Sequence, residues 1–356
     1  MNPMTPSFRP LPFLSDARAE PLASSRLQKL RRAAWQAREA FAADGPVQAL
    51  ATCDLITFPY PALFAFSGAA LSPAPYVMIM NRMQVVQFEE DGTTRVLLFN
   101  PSDYERGHEA PFYKSLRGKY GAFLADKVMT RKHGTVQGHL EALGLGPGDV
   151  DYIAFDHLHV QDVRRWLGGD GQPAYFPRAK LLVQRAEWAS VKNLHPLERV
   201  WYVPGGTDGV PGERVVLLDG DTWLGRGVAL LSTPGHTLGN MSLAVATDQE
   251  IFVVSENGIA TESYTPLQSG IPGVRAFAEQ MGWEVVLNGN TRESSLEQYS
   301  SMIVEKVFAG PSRVDGCFVN FHPSSLLTGA KVAPGLTPTL TLPAPAHGRI
   351  RLASAA

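Results

Sequence analysis

The stretch 151-DYIAFDHLHVQD-162 decides the reading of this chain. Tyr152 to Phe155 form a short apolar run that predicts a buried strand, and the run ends in Asp156-His157-Leu158-His159. On an extended backbone, residues two apart point to the same side, so the two imidazoles are placed to converge on one ion. Neutral imidazole is the commonest metal ligand among side chains. Asp156 precedes the pair, where a carboxylate can accept the spare N–H of a ligating histidine.

Two further segments repeat this design. An apolar strand at 228–232 runs into Thr233-Pro234-Gly235-His236-Thr237, in which Pro and Gly specify a sharp turn that presents a histidine. A strand at 251–255 ends in Glu256. Three imidazoles with one open position are the usual ligand set of a catalytic zinc. Glu256 offers a carboxylate to complete it.

Taken together, "LGLGPGDVDYIAFDHLH", "LLSTPGHTLGNMSLAV" and "IFVVSENG" resemble the metallo-β-lactamase superfamily over roughly residues 45–325. The resemblance implies an α/β fold, a four-layer αββα sandwich of two mixed sheets flanked by helices. It assigns His157, His159 and His236 to the first metal position and puts Glu256 where the family has a bridging Asp. The second position departs from the family pattern. Gln161 stands in place of an Asp ligand, Asp162 in place of a His, and Asn290 in place of the last His. Asp162, Glu256 and His322, the last at the end of a predicted strand at 316–321, are the residues from which a second position is rebuilt if there is one. An oxygen-rich second site would favour manganese or iron over a pair of zincs. One divalent metal, zinc first, is the simpler expectation.

Outward from these motifs, residues 1–44 read as an irregular arm and a helix (25–43), 45–332 as the main domain, and 333–356 as a Pro-rich extended tail. Strands are predicted at 46–57, 76–88 and 94–99, with Asp91-Gly92 as a hairpin turn, and at 180–184, 214–218, 241–246 and 283–287. Helices are expected at 135–143, 185–192, 271–282 and 294–308. The polar, aromatic-dotted stretch 101–134 reads as a partly helical lid over a site or as a surface insertion. The apolar stretch 55–70 suits core, a cover for the site or a dimer interface.

Hydrophobic residues make up 44% and charged residues 19%, with a net charge of -2 and no basic cluster. That composition argues against nucleic acid as a partner. No run approaches the ~20 apolar residues of a membrane span. The N-terminus lacks a signal-peptide pattern, and two isolated cysteines, Cys53 and Cys317, suit the cytoplasm. The resemblance implies a metal-dependent hydrolase of a small lactone, ester or related acyl substrate, with Asp162 or Glu256 as general base. The altered second position leaves two other readings open: a mononuclear iron enzyme of oxygen chemistry, and a binding protein on the same scaffold.

Overall fold

A computed structural model describes residues 6–121, 123, 129–289 and 294–351. In chain order the strands are β1 (Arg9–Pro10), β2 (Ala49–Pro61), β3 (Tyr76–Glu90), β4 (Thr93–Phe99), β5 (Arg131–Lys132), β6 (Tyr152–Ala154) and β7 (Lys180–Gln184). They continue with β8 (Val215–Leu218), β9 (Thr222–Gly225), β10 (Val228–Ser232), β11 (Met241–Ala246), β12 (Ile251–Ser255), β13 (Phe321–Pro323) and β14 (Ser325–Thr328). One sheet has the order β1-β9-β10-β11-β12-β13; the other is β5-β2-β3-β4-β6-β7-β8, with β14 also on β3. Both are mixed: β12 runs parallel to β13, and β4, β6, β7 and β8 are mutually parallel, while the remaining pairs are antiparallel.

The layers follow from where the apolar side chains go. Val86, Phe88 and Leu97 of one sheet meet Leu230, Leu243 and Val254 of the other in a core between the sheets. Helix Ala23–Asp44 buries Leu30, Ala34, Ala37 and Phe41 at helical spacing, and with helix Ser295–Ala309 it covers the outer face of the first sheet. The outer face of the second sheet carries its own core, including Ile79, Val85, Leu140 and Trp166. This is the αββα sandwich expected from the resemblance.

Strands β10, β11 and β12 begin and end where the sequence reading put them. The Asp91-Gly92 turn is present, with φ of +47° and +74°, as a two-residue hairpin of this type needs. Two expected strands differ. Residues 285–287 are buried but pair with no strand: the Val286 N–H bonds the carbonyl of Ser263 in the 3-10 turn Thr261–Ser263, and that of Asn288 bonds Asn257 in a loop. An apolar β-branched run satisfied burial there without a ladder. In 316–321 only Phe321 enters a strand, because the Asp315 side chain and carbonyl accept the N–H groups of Cys317 and Phe318 in a turn.

The segment after 333 follows the second sheet. Thr339 N–H donates to Glu262, Leu50 and His347 exchange backbone bonds of 2.8 and 2.9 Å, and the Gln87 side-chain amide bonds both the N–H and the carbonyl of Arg351.

Candidate metal centre

The site gathers at the carboxyl ends of strands from both sheets, the usual place for a ligand in an open α/β sheet. Asn100 follows β4; Asp156, His157 and His159 follow β6; the turn carrying His236 follows β10; Glu256 follows β12; Ser324 lies between β13 and β14. Ring centroids are 4.5 Å apart for His157–His159 and His157–His236, and 5.2 Å for His159–His236. All three rings are buried, and their donor nitrogens lie within 4.8 Å of one another. A second cluster, on the same criterion, joins Asp156, His157 and Glu256.

Hydrogen bonding separates the three rings from the groups that support them. Asp156 Oδ1 accepts the backbone N–H of His157 at 2.9 Å and its ring Nδ1–H at 2.8 Å. Asp156 Oδ2 accepts Asn100 Nδ2 at 3.1 Å and the Ser324 hydroxyl. Four donors fill the four acceptor positions of a carboxylate. Asp156 therefore orients His157 and turns its Nε2 toward the other rings. Asn100 sits at φ +58°, a conformation that asparagine tolerates, and also accepts the Asp156 N–H at 3.0 Å.

The electrostatics divide the three rings: His157 is held in the charged form and must release its Nε2 proton to bind an ion, whereas His159 and His236 stay neutral. Burial opposes charge on both partners of the pair. The His157 charge and the hydrogen bonds nonetheless hold Asp156 below its ordinary value, and Asp156 lifts His157 to about 9. Burial, with the neighbouring His157 charge, pushes His159 and His236 well below the ordinary range, which keeps them neutral. Burial raises Glu256 to about 7 against the pull of His157, and its Oε2 accepts Ser325 Oγ at 2.7 Å.

The backbone around the histidines is held tightly. Gly235 has φ +145°, and a Cβ there would lie 2.2 Å from the Cα of Gln298, so only glycine lets the turn rest on helix Ser295–Ala309. The N–H of His236 donates to Asn257 Oδ1 at 3.2 Å, and Asn257 Nδ2 donates to the buried Glu305 at 2.8 Å. Val160, next to His159, has φ +55°, an outlier for a β-branched residue.

The residues expected at the altered second position are engaged with other protein groups. Gln161 Nε2 donates to Ser102 Oγ at 2.9 Å. Asp162 accepts a two-pronged Arg164 at 2.8 Å on each oxygen, with Arg106 3.8 Å away. His322 Nε2 bonds Asn320 Oδ1 at 3.1 Å, and its ring lies against Phe252. Neither Asp162 nor His322 joins a metal-capable cluster among the described residues. Both were expected as ligands; both carboxylate oxygens of Asp162 and the Nε2 of His322 instead face protein partners. Asn290 lies outside the described residues.

A cavity of about 70 Å³ opens over the triad, walled by Phe58, Tyr60, Tyr113 and Trp201 and floored by the histidines and Glu256. The stretch 55–70 is thus divided: Ile56, Phe58 and Tyr60 reach the cavity, whereas Leu55, Ala65 and Phe66 are core. From the stretch expected as a lid, helices Tyr104–Gly107 and Pro111–Tyr120 contribute Tyr104 and Tyr113, and His108 caps the first of them. Sequence reading missed Asn100, Ser324, Trp201 and Glu187. Glu187 had a visible signal in Arg185-Ala186-Glu187-Trp188, a helix start whose glutamate looks solvent-facing but is 1% exposed.

The two-sheet frame is the metallo-β-lactamase fold, and His157, His159 and His236 lie in the segments that follow β6 and β10. No family model matches the chain. It is similar to an N-acyl homoserine lactonase of Bacillus sp, 28% identical over 131 residues, 36% of this chain and 47% of that protein. It is also similar to the N-acyl homoserine lactonase AttM of Rhizobium radiobacter, 29% identical over 128 residues, 33% and 44% of the two chains. The chain spans about half the length of the curated relatives it matches. Among solved structures, a probable metal-dependent hydrolase from Staphylococcus aureus aligns with a TM-score of 0.49, 14% identity, 71% of this chain and 83% of that one.

Proposed function

We propose that this protein is a metal-dependent hydrolase of a small lactone or ester, with His157, His159 and His236 as ligands of one divalent metal, zinc first. The observation that carries the reading is the buried convergence of three imidazoles, one of them locked by Asp156 with Nε2 inward. The donor set suits zinc: three nitrogens, a nearby carboxylate and an open cavity. When bound, such an ion polarises a carbonyl and lowers the pKa of water to about 7. The chain's own residues do the rest. Glu256, raised to about 7, is poised to take the proton of an attacking water near neutral pH. Phe58, Tyr60 and Trp201 enclose the apolar part of a substrate and exclude bulk water.

A lactone is favoured because the curated relatives named above are N-acyl homoserine lactonases. No helix among the described residues is long and apolar enough to cross a membrane. Both cysteines are free thiols, in keeping with a reducing compartment such as the cytoplasm.

Elemental analysis of the purified chain, paired with hydrolysis assays on N-acyl homoserine lactones, simple lactones and aryl esters, tests the proposal. The expected result is about one zinc per chain, with hydrolysis abolished by a chelator and restored by zinc. Absence of metal after reconstitution, or hydrolysis indifferent to the chelator, would overturn it. Iron as the sole bound metal would replace hydrolysis with oxygen chemistry.

A further inference from the structure

Helix Arg185–Lys192 begins directly after β7 and carries Glu187 into the interior, 1% exposed. Burying a carboxylate is costly unless its hydrogen bonds are made. Glu187 makes four. Oε1 accepts the backbone N–H of Leu158 at 2.8 Å and the Tyr202 hydroxyl at 3.4 Å. Oε2 accepts the Thr237 hydroxyl at 2.7 Å and the backbone N–H of Gly239 at 3.2 Å.

Those four donors touch every histidine of the triad. Leu158 is the residue between His157 and His159. Thr237 follows His236, and Gly239 closes the same turn. Tyr202 packs its ring edge-on against His159, with centroids 4.7 Å apart. The turn after β10 is pressed so close to the helix that a Cβ on Gly239 would lie 2.2 Å from the Glu187 nitrogen. One side chain therefore spans two ligand-bearing turns that are far apart in sequence and rise from different sheets.

The chemistry around Glu187 favours an acceptor on both oxygens. Each oxygen faces one backbone N–H, which can only donate, and one hydroxyl; an ionised carboxylate accepts from all four. An amide, whichever way it turned, would set its NH₂ against one of the two backbone N–H groups. We propose that Glu187 is a positioning residue that fixes the spacing of the His157–His159 turn and the His236 turn, so that the triad is formed before metal arrives. The inference rests on the metal-centre reading above.

The test uses the full chain, stripped of metal and titrated with zinc against a chromophoric chelator, with urea unfolding of the metal-free protein in parallel. Glu187→Gln is expected to weaken zinc binding roughly 10–100-fold, the usual loss when support around a ligand is removed. Val86→Ala, in the core between the sheets, is a control that lowers stability without touching either turn, and its zinc affinity is expected to match the wild type. Wild-type affinity in Glu187→Gln, or equal weakening in Val86→Ala, would overturn the assignment. Should Glu187→Gln not fold, Thr237→Val and Tyr202→Phe each delete one bond, and wild-type affinity in both would also overturn it. A wild type that captures no zinc would instead bring down the metal-centre reading, and this assignment with it.

Discussion

The ring Nδ1 of His157 donates to Asp156 Oδ1 at 2.8 Å, and the same oxygen accepts the His157 backbone N–H. This doubly bonded carboxylate decides which nitrogen of the imidazole faces the cavity. Asp156→Asn puts an amide among four donors and frees the ring to change tautomer. Zinc affinity should fall about 10–100-fold, the range seen when a carboxylate behind a ligating histidine is lost. Chelator competition reads this directly, and unchanged affinity would mean that His157 does not ligate through Nε2.

Asp162 is committed to Arg164, so Asp162→Asn should leave zinc stoichiometry and affinity as in the wild type. Its effect falls on stability. The Asp162 side chain is 2% exposed and that of Arg164 14%. Removing one partner of a buried pair costs about 3–5 kcal/mol, and the residual exposure of Arg164 should bring the loss below that range. Urea denaturation measures it. Loss of metal without loss of stability would return Asp162 to the ligand set.

Val160 holds φ at +55° beside a proposed metal ligand. Backbone strain of this kind costs about 1–3 kcal/mol. Asparagine tolerates the left-handed region, so Val160→Asn should raise the thermal midpoint with little change in zinc affinity. A fall in the midpoint would show that the apolar contacts of the Val160 side chain outweigh the strain.

His322 is buried and neutral. Burial, with the adjacent charge of Arg82, lowers it to about 3 from an ordinary value of 6.5. Its unfolded form takes up a proton at higher pH than its folded form does. The stability it contributes is therefore fully present above pH 6.5 and is lost as the pH falls toward 3. His322→Gln removes this titration, so its acid-unfolding midpoint should lie below that of the wild type, after correction for any difference in stability at neutral pH. An identical acid limb in the two proteins would show that His322 does not titrate in this window.

What the sequence makes legible is whatever is local. His157-Leu158-His159 and Thr233-Pro234-Gly235-His236 announce themselves because the strand, the turn and the histidine are contiguous. The partner of Asp162 was equally close at hand in Arg164, two residues on, and a bidentate pair at that spacing is readable in hindsight. Asn100, Ser324 and Glu187 are different. They come from other strand ends and a helix, and only the assembled sheets bring them to the histidines. Residues 283–287 misled in the opposite sense: Val285, Val286 and Leu287 are as buried as a central strand, yet nothing in their pattern records that the Val286 N–H bonds a 3-10 turn and not a neighbouring strand.

The segment that pairs His347 with Leu50 lies along the outer side of β2, where β5 bonds only Ile56 and Thr57. Without it, the N–H and C=O groups of β2 from Ala49 onward would stand open as a template for another chain. The prolines of this segment supply no N–H for a further strand to join, so the sheet stops there. Held in place, the tail acts as a selvedge, the bound margin that keeps a woven edge from unravelling. A chain shortened to Leu342 would keep its metal-capable histidines but offer neighbouring molecules an edge on which to polymerise.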